Sequence, residues 1–214
     1  KSAGKMVQQV DTTWSDNSGW VRQDSVTTTV CAPDGGSCAN KQSIFTYAAS
    51  LQGGVQHGNV TNIADYSNGA LLRNTQRVYF PNNTKNIFNL VSQEAVADAT
   101  GTCMSQTNYV YGDDKKNGSW AQEPSNSLVS TIEVALTNCD GSYPPPNINT
   151  YDANWSITRF AHDAYGNTTT VNQTGVISTS DDIIKTTYGS TFHLFPIEQW
   201  KNQDANFKEY AEYY

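Results

Sequence analysis

The carboxylate pairs Asp113-Asp114 and Asp181-Asp182, three histidines and four cysteines are the residues of this sequence best suited to catalysis, metal binding or redox work. A glycosidase needs two carboxyl groups facing each other across a bond, roughly 5 to 9 Å apart. Adjacent residues on a strand point to opposite faces, so both Asp pairs read as turn residues. Oxygen-rich turns of this kind suit calcium, but no EF-hand spacing is present. His57 lies beside Gly58 in a turn sequence, and His162 precedes Asp163 in a connector. His193 sits between Phe192 and Leu194 in an apolar, strand-like run that reads as core. A Ser-His-Asp relay has no Gly-x-Ser-x-Gly elbow to build on, and neither a Gly-rich phosphate loop nor a His-Glu-x-x-His helix occurs. These residues specify no catalytic group, no metal ligand set and no cofactor, and the chain reads as a non-enzyme.

Cys31 and Cys38 flank Ala-Pro-Asp-Gly-Gly-Ser, a turn sequence that can bring them together, which leaves Cys103 and Cys139 for a second bridge. Three connectivities are open, of which this one is preferred. The rival is a zinc site, but such sites usually carry cysteine pairs about two to four residues apart. The spacings here are 7, 65 and 36. Disulfides imply an oxidising compartment, so the expected location is extracellular, secreted or at the cell surface. Asn-x-Ser/Thr triplets at Asn59, Asn82, Asn117, Asn154, Asn167 and Asn172 permit glycosylation there.

The elements that must hold these groups are strands. The 214 residues are 37% hydrophobic and 15% charged, with twelve Tyr, seven Phe and five Trp, a composition too rich in large rings for a solvated coil. A net charge of −7 has the wrong sign for neutralising phosphates, which argues against nucleic acid and anionic membrane as partners. No apolar run approaches the roughly 18 residues of a membrane-spanning helix. Period-two alternation dominates: "STIEVALT" at 130–137 sets Ile132, Val134 and Leu136 on one side, expected to be dry, and Thr131, Glu133, Ala135 and Thr137 on the other. Similar runs are "SVTTTV", "SIFTYA", "QRVYF", "TNYVYG", "WSITRF", "NTTTV" and "IIKTTYG". Asp34-Gly35, Asn68-Gly69, Asn117-Gly118 and Asp140-Gly141 supply tight turns between them. "NIFNLVSQEAVADA" from Asn86 has some helical spacing without a cap and reads as a strand, while the tail from Glu198 stays open. The fold class is therefore all-β, built of successive antiparallel β-hairpins. Residues 1–141 form a hairpin array with an N-terminal extension, "SYPPPN" at 142–147 a stiff connector, 148–198 a second array and 199–214 a tail.

Tyrosine marks these hairpins. "FTYAASLQGGVQHGNVTNIADYSNG", "YVYGDDKKNGSW", "NTYDANWSITRFAHDAYGNTTTV" and "TTYGSTFHLFPIEQW" each join a β-type residue, a Tyr and a small or acidic turn former, and two carry Gly-Asn-x-Thr. Over roughly residues 43 to 197 this series resembles the YD-repeat, or RHS, family, which includes bacterial RHS proteins, the B and C components of insecticidal toxin complexes, and the teneurins. Trp155 stands where that family usually carries a hairpin glycine, and "EQWKNQDANF" replaces its usual continuation after Phe195-Pro196. The resemblance implies a long β-ribbon wound into a shell around a toxin or at a cell surface, of which this chain would be an excerpt, a cleavage product or a small relative. Under it Tyr47, Tyr111, Tyr151, Tyr165 and Tyr188 space the ribbon, Asp152 makes the turn after its tyrosine, and Gly58, Asn59, Gly166 and Asn167 turn the ribbon. Partners would be neighbouring repeats, copies of the same or a related chain, or an enclosed toxin. The alternative is a secreted glycan-binding or adhesin module that stacks sugars on exposed aromatics, with Trp14, Trp20, Trp120, Trp155 and Trp200 as candidates.

Overall fold

A computed structural model of the chain describes residues 8–17, 20–32, 37–48, 58–112, 123–136, 139, 155–174, 182–190, 193–201 and 208–212. They form strands and connections, with no helix among the described residues. The strands are β1 (Gln8–Asn17), β2 (Trp20–Cys31), β3 (Cys38–Tyr47), β4 (Val60–Ser67), β5 (Ala70–Tyr79), β6 (Val91–Asp98), β7 (Cys103–Tyr111), β8 (Val129–Ala135), β9 (Trp155–His162), β10 (Thr168–Thr174), β11 (Asp182–Tyr188), β12 (Pro196–Lys201) and β13 (Lys208–Tyr210). Hydrogen bonding follows the chain, each strand beside its predecessor and its successor, so β1 and β13 are the outer strands of the order. The chain divides into two compact units, Lys1–Val78 with Glu94–Met104, and Tyr79–Gln93 with Ser105–Tyr214. The 142–147 connector lies outside the described residues.

Every run expected to be a strand is one, including the second half of the Asn86 segment, which is β6. Its first residues depart from the strand reading: Asn86 and Ile87 end a tight turn closed by an Asn82–Ile87 bridge, and residues 88–90 connect it to β6. The tail from Glu198 supplies most of β12 and all of β13. Valine, isoleucine and threonine explain the preference: branched side chains suit a pleated, half-buried surface.

In the first unit, β1 and β2 pair from Gln8↔Val30 to Asn17↔Trp20, with a register shift at Thr13/Trp14. That register sets Val10, Trp14, Val21 and Val30 on one face of the hairpin, where all four are exposed. Asn68 and Gly69, with φ of 48° and 80°, make the two-residue turn between β4 and β5. Both lie in the left-handed region that a hairpin matched to strand twist requires. Asn68 is also held to β3, its side-chain oxygen accepting from the Asn40 N–H at 2.9 Å and its own N–H donating to the Asn40 carbonyl at 3.0 Å. Few side chains here are buried: Asn59 and Thr75 are the two among the described residues of the unit.

The second unit does bury one face, and it is not the expected one. Thr131 and Glu133 are 1% and 0% exposed, whereas Val134 and Leu136 are 37% and 47% exposed. The neighbours decide this. Glu133 stands between Asn108 of β7 and Ile157 of β9, and Thr131 between Val110 and Arg159, so the covered face is the one that carries Val110, Trp155 and Ile157. Alternation fixes which residues share a face, but burial depends on what packs above it. His193 also departs from expectation: it lies in the connection from β11 to β12 with φ of 53°, not in a strand.

Cys31 and Cys38 are directly opposite in the β2–β3 register and disulfide-bonded. The loop they close is also tied by the Ala32 N–H to the Ser37 carbonyl at 2.8 Å. Cys103 and Cys139 are likewise disulfide-bonded, and no cysteine is free. Because a short ring removes little unfolded-state entropy, replacing Cys31 and Cys38 together by serine should cost about 2.5 kcal/mol. Urea denaturation read by circular dichroism under oxidising conditions would measure it.

Candidate functional site

One arrangement recurs at β3, β7 and β11, each four strands from the next. A tyrosine ends each strand and donates its hydroxyl to a backbone carbonyl of the preceding strand: Tyr47 to Gln23 at 2.8 Å, Tyr111 to Val91 at 2.9 Å and Tyr188 to Thr168 at 3.2 Å. At the same tyrosine the pairing with the following strand slips, at Thr46/Tyr47, Val110/Tyr111 and Thr187/Tyr188. The next residue then donates its N–H to the carbonyl just ahead of that strand: Ala48 to Asn59 at 3.0 Å, Gly112 to Leu128 at 2.7 Å and Gly189 to Phe195 at 3.0 Å. Hydroxyl, bulge and loop closure make one unit. Burial pushes the Tyr111 hydroxyl up to about 12, with smaller contributions from Tyr109 and Tyr79, so it stays a donor across the physiological range.

The second recurring device is an acidic turn. The Asp98 N–H donates to the Thr102 carbonyl at 2.9 Å, and the Asp163 N–H to the Asn167 carbonyl at 3.0 Å. Gly101 and Gly166 donate back to those aspartates, both at 3.1 Å and with φ of 87° and 86°. Each carboxylate accepts two backbone N–H groups, from Thr100 and Thr102 or from Tyr165 and Asn167. The Thr100 hydroxyl is the main force lowering Asp98, and the Asn167 amide the main force lowering Asp163. Asp163 is therefore engaged in a turn, its carboxylate taking both backbone and side-chain donors.

The repeat residues separate along these lines. Tyr47, Tyr111 and Tyr188 are the hydroxyl anchors. Tyr165 belongs to the acidic turn instead, 65% exposed and stacked on His193 with ring centroids 4.0 Å apart. Gly58 takes φ of 67°, and buried Asn59 supplies the carbonyl that closes the first loop. Gly166 completes the turn, and the Asn167 amide donates to the Asp163 carboxylate and the His193 carbonyl, joining two connections. Tyr151, Asp152, Asn117 and Asn154 lie outside the described residues, as do His57, Asp113, Asp114 and Asp181. The Asn82 amide nitrogen donates to the Pro124 carbonyl at 3.1 Å, and Asn172 pairs with Arg159 in the β9–β10 register.

Sequence reasoning missed the polar group under β7 and β8. The Asn108 amide donates to Glu133 Oε2 at 3.2 Å, and its oxygen accepts from Gln93 at 3.0 Å and Gln106 at 3.3 Å. Gln106, Asn108, Thr131 and Glu133 are all buried. Among buried groups a lone carboxyl of this kind is unusual, and no cue in "STIEVALT" marks it, since a Glu on a polar stripe reads as solvated. It is closed to solvent, so no dissolved substrate reaches it in this conformation.

No protein-family model matches the chain, and no curated protein matches it. Among solved structures, the crystal structure of TcdB2-TccC3-TEV is similar at a TM-score of 0.40 and 12% identity, over 90% of this chain and 14% of that one. This chain thus spans about one seventh of the length of that one.

Removing a single hydroxyl anchor tests the recurring unit. Tyr47→Phe, Tyr111→Phe and Tyr188→Phe should each cost about 1 kcal/mol in urea denaturation, with the ring retained. Gly112→Ala should cost more, about 2 kcal/mol or above, because Gly112 has φ of 83° and a Cβ there would meet the Ser125 hydroxyl at 1.7 Å.

Proposed function

We propose that this chain is a structural YD-repeat segment, extracellular and without catalysis of its own, that forms part of the wall of a β-shell or surface assembly. The observation that carries the reading is the recurrence of one unit, anchoring tyrosine, bulge and closed loop, at β3, β7 and β11. A protein whose sheet repeats its own junctions has a construction rule that extends strand by strand, which suits a wall better than a pocket. Disulfide-bonded cysteines fit an oxidising location. The partners under this reading are neighbouring repeats or copies of the same or a related chain, with an enclosed toxin as cargo.

Light scattering and negative-stain imaging of the native material test it. The expected result is a particle much larger than 23.5 kDa with this segment in its wall. A native product that is this chain alone and stays monomeric would overturn the proposal. One observation favours a glycan-binding alternative: Trp14 is 61% exposed, on the same face as exposed Val10 and Val21. A glycan-array signal that Trp14→Ala abolishes without unfolding the chain would favour that alternative.

A further inference from the structure

We propose that Glu133 is a proton-operated latch on the β7–β8–β9 patch, holding it closed while its carboxyl is neutral and loosening it once the carboxyl ionises. The inference is independent of the wall reading and rests on the surroundings of one side chain. Glu133 is fully buried, its Oε2 receives one N–H from Asn108, and its Oε1 has no hydrogen-bond partner among the described residues. A carboxylate taken out of water and given one neutral donor recovers little of its lost hydration. The acid form keeps the Asn108 bond and carries no charge.

The surrounding groups offset only part of that charge. On this face β7 presents Gln106 and Asn108, β8 presents Thr131 and Ala135, and β6 reaches the cluster through Gln93. From β9, Ile157 lies directly opposite, and Arg159 is the charged group one step along, level with Thr131. Gln93 and Gln106 both donate to the Asn108 oxygen, which fixes the amide with its NH2 toward Glu133. Burial pushes the carboxyl up to about 7, against smaller downward pulls from Asn108 and Arg159. An unfolded glutamate titrates at about 4.3, so the folded chain holds the proton more tightly over the interval between. The stabilisation is whole below that lower value, drains away as pH rises toward about 7 and is absent above it.

Urea denaturation of the full chain between about pH 5 and about pH 8, for the wild type and Glu133→Gln, tests the latch. The wild-type unfolding constant should rise on the order of a hundredfold more than that of the variant over this span. Equal pH dependence in the two proteins would overturn the proposal. Should the variant fail to fold, carbon-13 NMR of wild-type protein labelled at the glutamate carboxyls replaces it. One glutamate titrating near neutrality supports the latch, and all titrating in the ordinary acidic range refute it. Amide exchange, corrected for its intrinsic pH dependence, should place the loosening in β7, β8 and β9, and uniform loosening across the chain would refute a local device.

Discussion

The sheet adds its strands in chain order, and among the described residues of its first unit few side chains are buried, too few for the interlocking core that usually fixes register. The tyrosine hydroxyl supplies a substitute. By reaching a carbonyl of the strand behind it at the point where pairing with the strand ahead slips, it ties three strands at one position. A slip by one residue would carry the ring to the opposite face and forfeit the bond. The energy of each contact is small, about 1 kcal/mol, but it is directional in a way that apolar burial is not.

The second unit adds a buried layer that is mainly amide, hydroxyl and carboxyl. Val110, Trp155 and Ile157 are its buried apolar members, beside Gln106, Asn108, Thr131 and Glu133. Such a layer demands that donors and acceptors match, because an unmatched group in a poorly hydrated site costs more than a methyl left exposed. The Gln93–Asn108–Glu133 chain meets most of that demand and leaves one carboxyl oxygen over. Specificity of pairing, set by which side chains can hydrogen-bond across β6, β7 and β8, takes the place that shape complementarity has in an oily core.

Much of this was legible in the sequence. Alternating Val, Ile and Thr locate the strands, Asn68-Gly69 marks a hairpin that is one, and Tyr47, Tyr111 and Tyr188 are distinguishable as markers from sequence alone. What could not be read was the third dimension. The same period-two pattern serves a strand covered on either side, so hydropathy points to Ile132, Val134 and Leu136 as the buried face of β8 although register buries Thr131 and Glu133. Tyr165 resembled the other markers by its following Gly, yet the Asp163 two residues before it makes a turn of its own. The partner turn at Asp98 has no such marker, because no tyrosine accompanies it.

The loops closed behind the three anchors differ in length, running from residue 48 to 59, from 112 to 128 and from 189 to 195, yet each is sealed by the same backbone bond. Nothing in that seal reads the sequence it encloses, and lengthening a flexible connection costs only about 0.6 kcal/mol per doubling. Each closed loop is thereby a place where length can be added at small cost to the strand pairing that flanks it.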